Sequence, residues 1–212
     1  AREQWAERGG FAPVGTASAA SSRAREVLTE RETTRLLGDA GLPVLRQALA
    51  GTADEAAAAA AAMGTPVALK IQAPSVPHKA SIGGVLLGLE TPEAVHAGFE
   101  AMLRDVAPKA PDLEGILVQQ MAPAGLEMLV GIDTTAGYGP ALMLGFGGSG
   151  VERVRDTVIE LAPLTADDAR AMIHRLRNSA VLVEGLGTGR RYDVDALVGF
   201  LVAVSDWVMR DG

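Results

Sequence analysis

The sequence predicts an α+β fold made of two lobes. Capped amphipathic helices alternate with short apolar strands that Gly/Pro turns separate, a pattern typical of antiparallel or mixed sheets. A Pro-rich connection at residues 107–115 falls between two such groups of elements. We therefore expect a first lobe at residues 26–110 and a second at residues 111–212. Residues 1–25 are expected to form a flexible linker, since their Gly, Ser and Ala run has no periodic apolar face.

The first lobe opens with a helix whose start is clearly marked. Thr29 followed three residues later by Glu32 forms a capping box, and Gly41 ends the helix. A second helix at residues 52–63 contains a run of alanines, whose helix propensity and small volume predict a core helix. The other elements expected here are strands at residues 42–45, 67–71 and 85–89 and a helix at residues 92–106.

Short apolar segments predict the strands of the second lobe, and two amphipathic segments predict its helices. Thr165 is the expected N-cap of the first of these helices. The strands are expected at residues 115–121, 126–132 and 141–146, and the helices at residues 166–177 and 194–209.

Composition narrows the function classes. The 212 residues include no Cys, which excludes a disulfide scaffold, a thiolate-bound metal and a cysteine nucleophile, and favours a reducing, cytoplasmic location. The net charge of −7 repels phosphate backbones and argues against a nucleic-acid partner. No apolar run reaches the roughly 18 residues of a membrane-spanning helix, so no membrane partner is expected.

Lysine is rare in this chain, and its placement is informative. Lys70 lies near the end of an apolar strand, and the following loop supplies Lys79 and the pair Gly83 and Gly84. Cations together with free backbone N–H groups predict a phosphate cradle, although neither a Walker nor a Rossmann pattern occurs. The alternative is a hairpin with a solvated Lys pair, which is less favoured because the only other Lys is Lys109.

Two further segments are weaker candidates. Gln119, Gln120 and Met121 end an apolar strand near the lobe boundary, where free backbone groups can meet a planar base edge. On this segment alone, an edge strand running into a turn is the preferred interpretation. Glu127 falls within an expected strand, so its carboxylate needs a ribose hydroxyl, a metal or an Arg; a structural ion pair is about equally favoured.

A second glycine-rich segment follows the strand at residues 141–146. Its dense glycines, Gly147 and Gly148 among them, and the nearby Asp156 suit close backbone approach to a nucleotide with Mg²⁺. The alternative is a flexible turn. His96 and His174 lie in helical stretches without metal-ligand spacing and are interpreted as structural.

Five collinear segments carry a family resemblance. They read LTERETTRLLGDAGLPV, VALKIQAPSVPHKASIGGVLLGL, ILVQQMAPAGLEMLVGID, GYGPALMLGFGGSGVERVRD and LAPLTADDARAMI. Over about residues 26–205 the chain resembles the ATP-grasp domain of NDP-forming acyl-CoA synthetases, which include ADP-forming acetate–CoA ligases and are related to succinyl-CoA synthetase.

The resemblance implies an ATP-grasp fold with a nucleotide cleft between two α+β lobes. It implies ATP or ADP and Mg²⁺ as cofactors, and the reaction acid + CoA + ATP ⇌ acyl-CoA + ADP + phosphate. That reaction runs through an acyl phosphate and a phosphohistidine. The implied partners are CoA-binding and CoA-ligase domains, in the same chain or in a second subunit.

The resemblance also implies roles for individual residues. Lys70 resembles the strand lysine that contacts the nucleotide phosphates, and Gly83–Gly84 resembles the mobile loop that closes over them. His78 resembles the histidine of the family's HK motif, a catalytic residue of phosphate relay. Gln119 to Met121 resemble the adenine hinge, and Glu127 resembles the carboxylate near the ribose.

Departures from the family pattern leave an alternative open. Glu160 stands where the family has an arginine, and the stretch around Glu184 lacks an expected cation. The chain stops before an acidic E-x-D-x-N-P strand, so we expect a truncated second lobe, an unknown metal site and no turnover by the isolated chain. Either Arg190 or Arg191 compensates, or the domain is a silent regulatory module fused to a GNAT-type acetyltransferase.

Overall fold

The computed structural model describes residues 28–76, 78–135, 137–148, 156–185, 187 and 189–211. The expected linker at residues 1–25 lies outside the described residues, as do residues 149–155 of the second glycine-rich segment. Two antiparallel sheets organise what is described, one of four strands and one of three. Each sheet has its own hydrophobic core. The predicted α+β class is confirmed.

The first sheet has the strand order β1-β4-β2-β3, and all of its neighbouring strands are antiparallel. The elements of this part of the chain are α1 (Glu30–Asp39), β1 (Gln47–Ala50), α2 (Ala53–Met63), β2 (Val67–Gln72), β3 (Val85–Leu89), α3 (Pro92–Asp105) and β4 (Gly115–Gln120), with 3-10 turns at Lys79–Ile82 and Ala107–Lys109.

The two faces of the first sheet differ in chemistry. Leu69 and Ile71 of β2 and Val118 of β4 point into the first core, which α2 and α3 cover. Because side chains alternate along a strand, Lys70 and its register partner Leu117 lie on the opposite face. Lys70 therefore lies on the face of the sheet that is turned away from the first core.

The expected lobe boundary at residues 110 and 111 does not coincide with the sheets. Strand β4, which the sequence placed in the second lobe, lies between β1 and β2 in the first sheet. Ala110 and Ile116 are buried in the first core. The Pro-rich connection therefore leads back into the first sheet. Pro interrupts helices and strands whether or not a domain ends there, so its presence does not mark a lobe boundary.

The second sheet has the strand order β5-β6-β7 and is also antiparallel. Leu142 and Leu144 of its central strand are buried against helices that follow in the chain. The elements are β5 (Met128–Asp133), β6 (Ala141–Phe146), β7 (Thr157–Leu161), α4 (Ala166–Arg175), α5 (Ser179–Val183) and α6 (Val194–Asp211). Strand β7 and helix α5 were not among the expected elements.

Helix α1 belongs to both halves of the molecule. Its predicted capping box is confirmed, with Thr29 and Glu32 exchanging hydrogen bonds. Leu37 and the buried Leu42 pack in the second core, although the next strand, β1, is in the first sheet. The strand expected at residues 42–45 is absent and β1 begins at Gln47, since this stretch crosses between the cores and Pro43 lacks a ladder donor.

The alanine-rich helix is only partly a core helix. Of its residues, Ala56 and Ala60 are buried, and they lie one turn apart on the side that faces the first core. The remaining positions are exposed or half-buried. No helix in the described part of the chain is long and apolar enough to cross a membrane.

A buried carboxylate organises the second half. Asp156 is 4% exposed and accepts hydrogen bonds from the backbone N–H groups of Arg177 (2.8 Å) and Asn178 (2.9 Å) and from the Asn178 side chain (3.0 Å). Burial would raise the pKa of Asp156, but these donors outweigh it and the pKa is lowered. Asp156 therefore holds the turn between α4 and α5 against the start of β7.

We predict that Asp156→Ala destabilises the protein by about 2–3 kcal/mol, because two backbone donors lose their acceptor. Stability from a lowered carboxyl pKa is present above the ordinary value of 3.8 and is lost as pH falls through the lowered pKa. The difference in unfolding free energy between Asp156→Ala and the parent should therefore become smaller below about pH 3.8. Urea unfolding at several pH values measures both effects.

Asp206→Ala is the matched control, since Asp206 is exposed on α6. This substitution should change the unfolding free energy by no more than about 0.5 kcal/mol. If both variants unfold at the same urea concentration, Asp156 does not anchor the turn.

Candidate functional site

Two lysines meet on one carboxylate. The Nζ of Lys70 lies 2.6 Å from Oε1 of Glu30, and the Nζ of Lys79 lies 2.8 Å from Oε2. The side chains are 22% exposed for Lys70, 14% for Lys79 and 29% for Glu30, so water screens these charges only partly. We call these three residues the Glu30 fork.

Local structure explains why the fork forms. Lys70 comes from the middle of the sheet, Lys79 begins the 3-10 turn after β2, and Glu30 is the first residue of α1. A carboxylate is favoured at a helix N-terminus by the partial positive charge there. The fork thus joins helix α1 to the polar face of the first sheet.

The fork shifts the titration of its acid. Burial would raise the pKa of Glu30, but hydrogen bonds and positive charge from Lys70 and Lys79 outweigh burial and lower it. The ionised fork therefore stabilises the fold above the ordinary carboxyl range and loses that effect as pH falls through the lowered pKa.

Neutral amides surround the fork. The Gln119 side chain donates to Oε1 of Glu30 at 3.4 Å and to the Gln47 side chain at 3.5 Å. The Gln47 side chain in turn donates to the backbone carbonyl of Arg31 at 3.4 Å. Gln119, which the resemblance places in an adenine hinge, contacts Glu30 and so lies among the groups around Lys70 and Lys79.

A cavity of about 260 Å³ opens beside the fork, with Glu30, Lys79 and Gln72 in its lining. Gln72 is 1% exposed, and its Oε1 has no hydrogen-bond partner within the described residues. Buried amide oxygens usually have partners. The cavity therefore combines a cation, an acid and an unpaired acceptor next to the predicted phosphate cradle.

The loop that carries His78 is tied down at several points. His78 is exposed, and its carbonyl accepts from Ser81 through the backbone (3.1 Å) and the hydroxyl (2.7 Å). Val76 and Ile82 pack against the first core. Asp112 accepts from the backbone N–H of Ser75 at 2.7 Å. These anchors oppose a freely moving loop.

The glycine pair closes this loop for steric reasons. Gly83 has a φ of +81°, a left-handed conformation that favours glycine. A Cβ on Gly84 would lie 2.7 Å from Cγ1 of Ile71 and 2.9 Å from the backbone oxygen of Lys79. The backbone conformation at Gly83 and the close packing at Gly84 therefore favour glycine without a ligand.

The rest of the predicted hinge already has partners. The N–H of Gln120 donates to the carbonyl of Arg46 at 2.9 Å, and the N–H of Met121 donates to that of Pro66 at 3.4 Å. The Met121 sulfur accepts from the N–H of Gly88 at 3.1 Å. A base edge at this segment would have to meet other groups or displace these bonds.

Glu127 and the second glycine pair lie together. Strand β5 begins at Met128, so Glu127 is the residue before the strand and not within it. The carbonyl of Glu127 accepts from the N–H of Gly147 at 2.6 Å. A Cβ on Gly148 would lie 3.3 Å from Oε2 of Glu127, so the carboxylate extends over the glycines.

Arginines stand near both family departures. Arg190 donates to the carbonyl of Ala124 at 3.4 Å, which places this arginine beside the segment leading to Glu127.

Glu160 pairs with Arg175 at 2.9 Å, so the acid at the expected arginine position has its own cation. Gly185 has a φ of +70°, and a Cβ there would collide with the carbonyl oxygen of Arg190.

The structure thus brings Lys70, Lys79 and Gln119 together, and separately Glu127 with Gly147 and Gly148. Sequence reasoning missed Glu30, although an acid in the first turn of a capped helix was visible. Among the described residues, no group of three or more His, Asp or Glu has a metal-binding arrangement.

Comparisons with known proteins agree with this architecture. A family model described as an ATP-grasp domain matches residues 19–210. The β subunit of acetate–CoA ligase [ADP-forming] II from Pyrococcus furiosus is 33% identical over 88% of this chain and 80% of that protein. Acetate–CoA ligase [ADP-forming] I from Archaeoglobus fulgidus is 35% identical over 81% of this chain, but over 26% of its own length.

A solved structure shows the same fold. Acetyl-coenzyme A synthetase 1 of Ca. Korarchaeum cryptofilum, in complex with coenzyme A and Ca-AMPCP, has a TM-score of 0.81 and 33% identity. The match covers 91% of this chain and 84% of that one. The predicted ATP-grasp fold is thereby confirmed, and the chain belongs to the ATP-grasp domain family of the ADP-forming acyl-CoA ligases.

Proposed function

We propose that this domain binds ATP or ADP with its phosphates at Lys70 and Lys79. The observation that carries the proposal is the Glu30 fork, in which two largely buried ammonium groups converge on one anionic group. Lysine ammonium groups bind phosphate as point charges, and their strength grows where water is partly excluded.

The sheet supplies a suitable distance for the rest of the nucleotide. Val67 is in register with Gln120, three residues along β2 from Lys70. At about 3.3 Å per residue, the end of β4 lies roughly 10 Å from the lysine. This spacing supports a base near Gln120 and Met121 with its phosphates at the fork.

Nucleotide contacts from the second half are also proposed. The exposed Glu127 precedes β5, and Gly148 has a φ of +91°. A glycine in this conformation lets a ligand approach the backbone, and Glu127 offers an acceptor for a ribose hydroxyl.

The proposed reaction is acid + CoA + ATP ⇌ acyl-CoA + ADP + phosphate, with this chain as the nucleotide-binding part. The P. furiosus relative is a β subunit and the A. fulgidus relative is about four times as long as its match, which supports CoA-binding partner domains in a second subunit or in the same chain. Both are ligases, which favours this function over a regulatory module. The cytoplasmic location stays a prediction.

Magnesium is proposed to arrive with the nucleotide. The Korarchaeum protein holds a nucleotide analogue with Ca²⁺, and a divalent cation of this kind neutralises phosphate charge. Within the described residues no group of three or more His, Asp or Glu forms a preformed metal site. We therefore expect phosphate oxygens to supply much of the metal's coordination.

We predict that Lys70→Ala weakens ADP binding at least tenfold, because a charge-assisted contact to phosphate is lost. Lys109→Ala should change affinity less than twofold, since Lys109 is exposed in a 3-10 turn between α3 and β4. Titration calorimetry at low salt measures both. Equal effects of the two variants would remove Lys70 from the site.

We predict that His78 accepts the γ-phosphoryl group of ATP. An imidazole nitrogen would attack the γ-phosphorus of ATP, the bond to the bridging oxygen would break, and ADP would leave with the electron pair while the imidazole loses a proton. Incubation with γ-labelled ATP and Mg²⁺ should give acid-labile label on the protein. His78→Ala should abolish it.

His174→Ala is the control for this experiment, because His174 is also exposed but lies on α4 in the second half of the chain. Label should persist in this variant. Label that survives His78→Ala, or an unlabelled parent protein, would contradict the assignment of His78.

A further inference from the structure

Glu30 has a position that the nucleotide proposal leaves unexplained. It is an acid whose two oxygens bind the two cations assigned to phosphate. Carboxylate and phosphoryl groups both present paired anionic oxygens to lysine. We propose that Glu30 is an intramolecular counter-anion that occupies the phosphate position in the nucleotide-free protein and competes with the incoming phosphates.

Hydrogen-bonding capacity alone does not enforce this competition. Each ammonium has three donors and can contact Glu30 and a phosphate together. That arrangement, however, places two anions around the same nitrogen atoms, in a site where Lys70 is 22% exposed and Lys79 is 14% exposed. Repulsion between like charges is strong where water is partly excluded. Phosphate binding therefore weakens the hold of Glu30 on the lysines.

Displacement of the Glu30 carboxylate would also change how helix α1 contacts the first sheet. Glu30 belongs to α1, and Leu37 of the same helix packs in the second core. Lys70 belongs to the first sheet. The fork is therefore a contact between a helix anchored in one core and a strand anchored in the other. Phosphate that displaces Glu30 loosens the first turn of α1 from the first sheet.

The neighbouring amides fit this exchange. Gln119 donates to Glu30 at 3.4 Å, a weak contact that a closer acceptor would readily replace. The cavity beside the fork has room for a displaced carboxylate or an arriving phosphate, with Glu30 and Lys79 in its lining. The site can therefore exchange the Glu30 carboxylate for a phosphate group.

The test compares Glu30→Gln with Asp39→Asn, using ADP and inorganic tripolyphosphate as probes. Asp39 is on the same helix, is exposed and pairs with Arg35 at 4.0 Å, so its variant removes the same charge away from the lysines. Glutamine keeps the acceptor oxygen and the size of Glu30. Calorimetry at low salt should show Glu30→Gln binding both probes at least fivefold more tightly than the parent.

The affinity of Asp39→Asn for each probe should stay within twofold of that of the parent. Adding Lys70→Ala to Glu30→Gln should remove most of the gain, because the released charge is then absent. Hydrogen exchange offers a second measurement that does not depend on a variant: ADP should speed exchange in the first turn of α1 in the parent protein.

The outcomes separate this inference, which depends on the proposed nucleotide site, from that site itself. If the parent binds ADP and Lys70→Ala weakens binding, but Glu30→Gln binds no better than Asp39→Asn, the counter-anion role is overturned and the site stands. If the parent binds no ADP, both are overturned. Tighter binding by Glu30→Gln with faster exchange in α1 supports the competition.

Discussion

The architecture depends on how three partly buried charges near one sheet face are satisfied. The other residues of the strand that holds Lys70 are buried and, apart from Gln72, apolar, so an ammonium there is costly without a partner. Glu30 supplies that partner for Lys70 and also for Lys79. This contact ties the first turn of α1, whose start is set by the capping box of Thr29 and Glu32, to β2 and to the 3-10 turn that follows it.

Two cores share a chain that does not divide simply between them. The segment around Leu42 passes from the second core to β1, and β4 completes the first sheet before the chain enters the second. Each sheet is built from consecutive strands, β1–β4 and then β5–β7, whereas helix α1 lies at the start of the chain and packs in the second core through Leu37. Helix α1 therefore connects the two halves, since Glu30 contacts Lys70 of the first sheet and Leu37 packs in the second core.

Local chemistry made much of the fold predictable. Thr29 and Thr165 marked helix starts because their hydroxyls accept N3 backbone N–H groups, and apolar runs identified β2, β3 and β6. Strand β7 was missed because Glu160 interrupts its apolar pattern, and pairing with Arg175 compensates for that acid. The lobe boundary differed because strand order is a long-range property that a Pro-rich connection does not encode.

The site was predictable to a similar extent. The rarity of Lys directed attention to Lys70 and Lys79, and the structure places them 2.6 Å and 2.8 Å from one acid. That acid was not predicted, because it is 40 and 49 residues away in sequence and nothing local marks it as a partner. The hydrogen bonds of Met121 and the steric role of Gly84 likewise depend on neighbours that only the folded chain brings close.

The central position of β4 also determines how this domain tolerates being cut. A break at residue 110 leaves a first fragment in which β1 and β2 have lost the strand between them, with rows of unpaired backbone groups exposed. Such a fragment is prone to aggregate. A break at residues 122–125, after β4 and before β5, keeps both ladders whole. For fragment complementation or the insertion of a reporter, the exposed connection at residues 123–125 is the better place to open the chain.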